Sequence, residues 1–225
     1  MIQFPEQNRM ILGRLVLVYT NTMTKLLFVR HGITDENLKY QLIGTTDVPL
    51  GQTGMAQANR LADALASIPI GLMITSPLLR TKQTATQIIQ RHEHIPFQTD
   101  RNLQEIHLGT FDGMDSFQAY EQSPGILDLA LDETTSDFAF PGGELRSHAL
   151  ARFKLAIDSL VTSYPQETIC VVTHGGLLGL WFADLNQQKL GAFRKYQPKH
   201  ASLTIVEWTG SLYKTIRFND CTHLQ

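Results

Sequence analysis

Two cysteines in 225 residues, Cys170 and Cys221, are too few for a disulfide framework or a cysteine-ligated zinc site. Positive charge is not in excess either. The formal net charge is -2, so no global basic field draws the chain to nucleic acid or to an anionic membrane. No apolar run reaches the roughly 18 residues of a membrane span. Residues 106–143 lack Lys and Arg altogether, while carrying Asp112, Asp115, Glu121, Asp128, Asp132, Glu133 and Asp137. What is present is an ordinary globular composition, 43% hydrophobic and 18% charged, long enough for a sizeable α/β domain.

The stretch from Met10 to Tyr19 has the apolar character of a signal-peptide core, but Arg14 interrupts it, Glu6 precedes it, and no Ala-x-Ala-like cleavage site follows. Residues 1–22 therefore read as an N-terminal extension, with one domain expected over 23–225 and a cytoplasmic location. Within that domain, 25–29, 72–75 and 168–173 read as buried strands. Residues 33–51 read as loop. Helices are expected from Thr53 as N-cap to about Leu65, from Ser76-Pro77 to about Arg91, over 144–163, and from Gly176 to about Asp184. Residues 96–98 suggest a short edge strand, and 201–208 with 212–217 flank Thr209-Gly-Ser211 as a hairpin. Residues 106–143, rich in Gly and Pro, read as an insertion over the site with one helix near 126–131. Its Phe111, Phe117, Tyr120 and Phe138 are candidates to touch an apolar part of a substrate. The expected fold is an α/β three-layer sandwich, a mostly parallel sheet with helices on both faces.

Arg30-His31-Gly32 ends one strand and His174-Gly175-Gly176 ends another. Ligands of open α/β sheets bind at the carboxyl ends of strands, so neighbouring strands would bring both imidazoles into one pocket. Arg80, in the first turns of its helix, adds a planar fork that matches phosphate beside a helix N-terminus. Arg30 does the same from the strand. His31 is the candidate nucleophile, kept neutral by two nearby guanidiniums. His174 can donate to phosphoryl oxygens. Glu105 can protonate a leaving oxygen and then activate water. Neither His31 nor His174 lies in a His-x-x-x-His or His-x-His pair, which argues against a metal.

These residues resemble the histidine phosphatase superfamily, in its phosphoglycerate mutase-like branch. The matching pieces are Arg30-His31-Gly32 with Thr34 and Asn37, Gly44-Thr-Thr-Asp47-Val-Pro-Leu-Gly-Gln-Thr-Gly54, and Thr75-Ser-Pro-Leu-Leu-Arg80. Glu105 with Gly109-Thr-Phe-Asp-Gly113, Phe140-Pro-Gly-Gly-Glu144 and Val172-Thr-His174-Gly-Gly follow in family order. The resemblance implies a phosphohistidine on His31, a phosphoryl group held by Arg30, Arg80 and His174 with Asn37 as a polar neighbour, and Glu105 as proton donor. It implies no metal or organic cofactor. Thr34, Gly44, Gly175 and His107 complete the candidate substrate-binding set. Phosphoglycerate mutases carry an Arg shortly after the Asn37 position, where this chain has Gln41, and cations on the insertion, where it has none. The expectation is therefore a phosphomonoesterase acting on a small metabolite with little charge beyond its one phosphate. The alternatives are a cofactor-dependent phosphoglycerate mutase and a non-catalytic phospho-ligand binding module. The expected partners are a small phosphorylated substrate and, at most, a second copy of the chain.

Overall fold

Residues 23–225 are described by a computed structural model; the extension expected over 1–22 lies outside them. Six strands form one sheet: β1 (Thr24–Arg30), β2 (Leu72–Thr75), β3 (Phe97–Thr99), β4 (Thr168–Thr173), β5 (Leu203–Trp208) and β6 (Tyr213–Asp220), in the order β3-β2-β4-β1-β5-β6. The first four are parallel, and β5 and β6 add an antiparallel edge. β1 shows why both faces are covered. Leu26 and Phe28 point to one face, and Leu27 and Val29 to the other, all fully buried. The first face packs under helices α6 (Arg146–Ser163) and α7 (Gly175–Leu185) through Phe153, Trp181 and Phe182. The second packs under α2 (Gln52–Leu65) and α3 (Leu79–Ile89) through Leu61, Leu65, Ala85 and Ile88. Full burial of one such side chain contributes about 1.5–3 kcal/mol.

Two helix starts differ from expectation. α2 is capped by the backbone of Gly51 and not by Thr53. α3 begins at Leu79, because the chain remains extended through Leu78, and the Ser76 hydroxyl accepts from the Leu78 N–H instead of opening the helix. The stretch read as loop contains a short helix, α1 (Asp35–Leu38), closed by a reciprocal cap between Thr34 and Asn37. The insertion holds two helices, α4 (Ser116–Gln122) and α5 (Pro124–Leu131), around a small core of Phe111, Ala119 and Leu127.

β1 and β4 are neighbours in parallel register, with Arg30 opposite Thr173. His31 and His174, one residue further on, therefore emerge side by side at the carboxyl end of the sheet.

Candidate active site

The rings of His31 and His174 lie 5.2 Å apart, edge to face, both buried. His31 Nδ1 is 2.7 Å from the carbonyl oxygen of Gly32. A carbonyl can only accept, so Nδ1 carries the proton and the Nε2 lone pair is free to attack. Burial holds the His31 pKa well below its ordinary value, and Arg80, His174, His200 and Arg30 push it the same way. His174 is depressed too, by burial and then by Arg80, Arg30 and Arg152. Its Nε2 meets the Ser76 hydroxyl at 2.8 Å, and its buried Nδ1 has no partner.

Two arginines flank this pair. Arg80 is 1% exposed and donates from Nη2 to Gly44 O at 2.6 Å and from Nη1 to Thr46 O at 2.8 Å. Arg30 donates from Nη1 to Pro198 O at 2.7 Å, and its Nη2 lies 2.8 Å from Nε2 of His200. Guanidinium is a donor only, so His200 accepts there and is neutral. Burial, with Arg30 and Arg80, lowers the His200 pKa to about 3. The Nε atoms of both arginines are buried and unpartnered. The helix N-termini expected to hold the anion are already occupied by the protein itself. The Leu79 N–H at the start of α3 donates to Asp47, and the N–H groups of Gly176 and Leu177 in α7 donate to the Glu105 carboxylate at 2.8 and 3.0 Å. These three N–H groups are therefore committed to carboxylates, and the Nε atoms of Arg30 and Arg80 remain without a partner.

Glu105 also accepts from the N–H of Ile106 at 3.0 Å, and its segment is tied to α6 by Arg152, which donates to the carbonyls of Asn102, Gln104 and Glu105. The two glycines after His174 make room for these groups. A Cβ on Gly175 would stand 2.6 Å from Cζ of Arg30, and one on Gly176 would stand 2.7 Å from Glu105 Oε1. Neither approach is possible for a larger residue without moving a side chain of the site.

A cavity of about 240 Å³ opens onto this group, lined by Arg30, His31, Asn37, Arg80, Glu105 and Gly176, with Gln41, Leu42, Ile106, Leu108, Phe193, Arg194 and Gln197 around its mouth. A larger groove of about 680 Å³ lies along α6 and the end of α7, but its charged residues serve one another or the fold: Lys154 pairs with Asp184, and Asp158 accepts from Tyr213. Chemistry, not volume, selects the smaller cavity. Asn37 lines it as expected. Thr34, fully buried, caps α1 and lies outside the lining. Gly44 acts through its carbonyl on Arg80, Gly175 backs Arg30, and His107 lines an adjoining cavity beneath the insertion. Of the insertion aromatics, Phe117 and Tyr120 are exposed and Phe111 is core, leaving Phe138 on the adjoining cavity.

Four contributors have roles that the sequence does not assign. Asp112 accepts from the N–H groups of Gly44, Thr45 and Thr46, fixing the loop whose carbonyls hold Arg80. Ser76 holds His174, and His200 holds Arg30. Arg194, from the 3-10 stretch Leu190–Tyr196, brings a cation to the cavity mouth from outside the insertion. Asp112 and Ser76 lie within recognised motifs, but all four gain their roles from contacts distant in sequence.

The family profile of the histidine phosphatase superfamily (branch 1) matches residues 26–221. The chain belongs to the histidine phosphatase superfamily. Within it, a glucosyl-3-phosphoglycerate phosphatase of Mycobacterium tuberculosis is 31% identical over 169 residues, covering 72% of this chain and 74% of that protein. The uncharacterized phosphatase PhoE of Bacillus subtilis is 26% identical, covering 90% and 97%, and a probable phosphoglycerate mutase GpmB of Serratia proteamaculans is 29% identical, covering 90% and 95%. A solved structure of mycobacterial glucosyl-3-phosphoglycerate phosphatase with VO3 superposes with a TM-score of 0.78 at 27% identity, covering 88% of this chain and all (100%) of that one. The superfamily thus accounts for the fold and for phosphatase relatives, with mutase names also among them.

This histidine phosphatase carries a stability cost in its site. His31, His174 and His200 are held neutral with depressed pKa values. As pH falls, the unfolded chain takes up their protons first, near about pH 6.5, while the folded chain does not. Stability is therefore fully present above that pH and falls below it, by up to about 1.4 kcal/mol per pH unit for each histidine. Asp137 and Glu144, with lowered pKa values, add losses only at more acid pH. Denaturant titrations between about pH 7 and pH 5.5 in phosphate-free buffer should show this decline. A flat stability across that interval would contradict the neutral assignment.

Proposed function

We propose that this chain is a phosphomonoesterase that hydrolyses a small phosphorylated metabolite through a phosphohistidine on His31. The observation that carries the reading is the cavity lined by Arg30, His31, Asn37, Arg80 and Glu105, with Nε2 of His31 free and the buried Nε atoms of both arginines without a partner. Buried polar groups without partners are costly in a folded protein, and a phosphoryl group supplies acceptors for guanidinium donors. In the first step the lone pair of His31 Nε2 forms a bond to phosphorus. The P–O ester bond breaks, and its electron pair leaves on the alcohol oxygen, which takes the proton of the Glu105 carboxyl. Arg30, Arg80 and His174 hold the equatorial oxygens and stabilise the developing charge. In the second step a water attacks phosphorus, Glu105 takes its proton, and the P–N bond electrons return to His31. Substrate binding needs no partner chain and no cofactor in this scheme.

A mutase is the second reading, favoured by Arg194 at the cavity mouth, because a mutase must retain a doubly phosphorylated intermediate. The test is rapid quenching of the protein with a 32P-labelled phosphomonoester. The expected result is label that is acid-labile and base-stable on His31, and inorganic phosphate as product. Phosphate transfer back to an acceptor only in the presence of 2,3-bisphosphoglycerate, without release of inorganic phosphate, would replace the hydrolase reading by the mutase. Stoichiometric binding without any label would reduce the site to a binding module.

A further inference from the structure

Arg30 owes its orientation to one short segment, residues 198–201, which follows the 3-10 stretch Leu190–Tyr196 and leads into β5. Nη1 donates to Pro198 O at 2.7 Å, and Nη2 donates to Nε2 of His200 at 2.8 Å. Gly175 packs beneath the guanidinium, where a Cβ would stand 2.6 Å from Cζ. These contacts fix the plane of the guanidinium and leave its buried Nε as a donor without a partner. The His200 ring also stands against that of His31, with centroids 5.4 Å apart. The segment that does this is strained. Ala201, fully buried, has a φ of +51°, a left-handed conformation that a Cβ disfavours. Such a residue persists only where its surroundings over-determine it. Here the surroundings come from β1 and from the C-terminal residues. The Ala201 N–H is shared between the carbonyls of Arg30 and His31, at 3.0 and 3.1 Å. The Ala201 carbonyl lies 2.8 Å from Nε2 of His223, which must donate because a carbonyl can only accept. His223 sits in the 3-10 turn Thr222–Leu224, anchored by the Thr222 N–H on Asp220 and by Arg60 of α2 on Leu224 O. Asn219, in β6, accepts from the N–H of Lys199 at 2.8 Å. The C-terminal residues thus grip the segment at Lys199 and at Ala201, on either side of His200.

We propose that His200 is a positioning residue for Arg30 and that the C-terminal residues 219–223 are the strap that holds it: His223 fixes the strained Ala201, Ala201 sets His200, and His200 aims the guanidinium at the phosphoryl group. This role rests on the phosphomonoesterase reading, in which Arg30 holds that group. An arginine that is free to rotate loses side-chain entropy when it closes on a ligand; one held in advance has met that cost in folding. The acceptor that holds it also matters. A carboxylate in the place of His200 would neutralise part of the charge that Arg30 offers to the anion. A neutral imidazole orients the guanidinium and leaves that charge in full. Burial and the two arginines, which keep His200 unprotonated, suit it to this part.

Calorimetric titration of the full chain with inorganic phosphate reads the strap without turnover, and kcat and KM on phenyl phosphate read it during turnover. His200→Leu removes the acceptor and should weaken phosphate binding about tenfold. His200→Gln, whose amide oxygen can accept from Nη2, should recover most of that loss. His223→Leu should weaken phosphate binding about fivefold and raise KM by a similar factor, with kcat changed less. In an Arg30→Gln background nothing remains to be aimed, so His223→Leu should weaken phosphate binding no further. A merely structural histidine would lower thermal stability in both backgrounds and leave the phosphate affinity of the folded chain unmoved. Should leucine at 223 prevent folding, the same comparison is made in Ala201→Gly, whose turn is no longer strained. Unchanged phosphate affinity in His200→Leu, or an equal loss from His223→Leu with and without Arg30, would overturn the strap. The expected phosphate responses without turnover of phenyl phosphate would support the strap and sink the hydrolase reading alone. No binding of phosphate by the unaltered chain would sink both.

Discussion

His31→Ala should lose kcat/KM on phenyl phosphate by about 10⁴-fold or more and should no longer take up acid-labile phosphate. The size of the effect follows from the role: without Nε2 there is no bond to phosphorus, and water must attack directly in a pocket shaped for a side chain. His31 is only 4% exposed, so the deletion also leaves a cavity. Two controls separate chemistry from folding. The decline of stability below about pH 6.5 should become shallower, because one depressed histidine has been removed. Added imidazole should restore part of the activity by filling the space left beside Arg30 and Arg80. Retention of activity within about tenfold in a folded variant would remove His31 from the nucleophile role. Persistence of the label in His31→Ala and its loss in His174→Ala would exchange the two histidines.

Glu105→Gln is expected to show a second large loss, about 10²–10⁴-fold in kcat, that depends on the leaving group. Glutamine keeps the size and one acceptor for the N–H groups of Gly176 and Leu177, so the start of α7 should remain in place. It cannot deliver or take the proton. An alkyl phosphate, whose oxygen must be protonated as it leaves, should be affected in the first step. 4-Nitrophenyl phosphate, whose phenolate leaves unaided, should still phosphorylate His31. Its turnover should then stall at water attack, giving a burst of nitrophenolate and an accumulated phosphoenzyme. Equal losses on both substrates, without a burst, would make Glu105 a positioning residue for α7 and not the acid–base group.

The strands that carry the site were legible because their cores are continuous apolar runs ending in charged or imidazole residues, as in Leu26 to Val29 before Arg30 and His31. Helix faces were legible by their spacing. Helix starts were less so. Ser76-Pro77 carries the local signal of a helix opening, but Ser76 is turned toward His174 and the helix waits until Leu79. Local propensity lost there to a long-range contact. A long-range contact also explains why Gly44 reaches the substrate site only through Arg80, whereas Thr34 proves to be a helix cap through a local contact with Asn37.

Sequence by itself pointed to the family, a mostly parallel sheet and Arg30, His31, Arg80, Glu105 and His174 as the candidate site residues, because each sits in a local motif that a window of sequence contains. Tertiary structure alone decided which nitrogen of His31 is free, which donors around it are unsatisfied, and that a cation reaches the cavity mouth from Arg194. Protonation, orphaned donors and unpaired charge are properties of a whole surrounding shell. That shell is assembled from segments more than a hundred residues apart, and no window of sequence contains it.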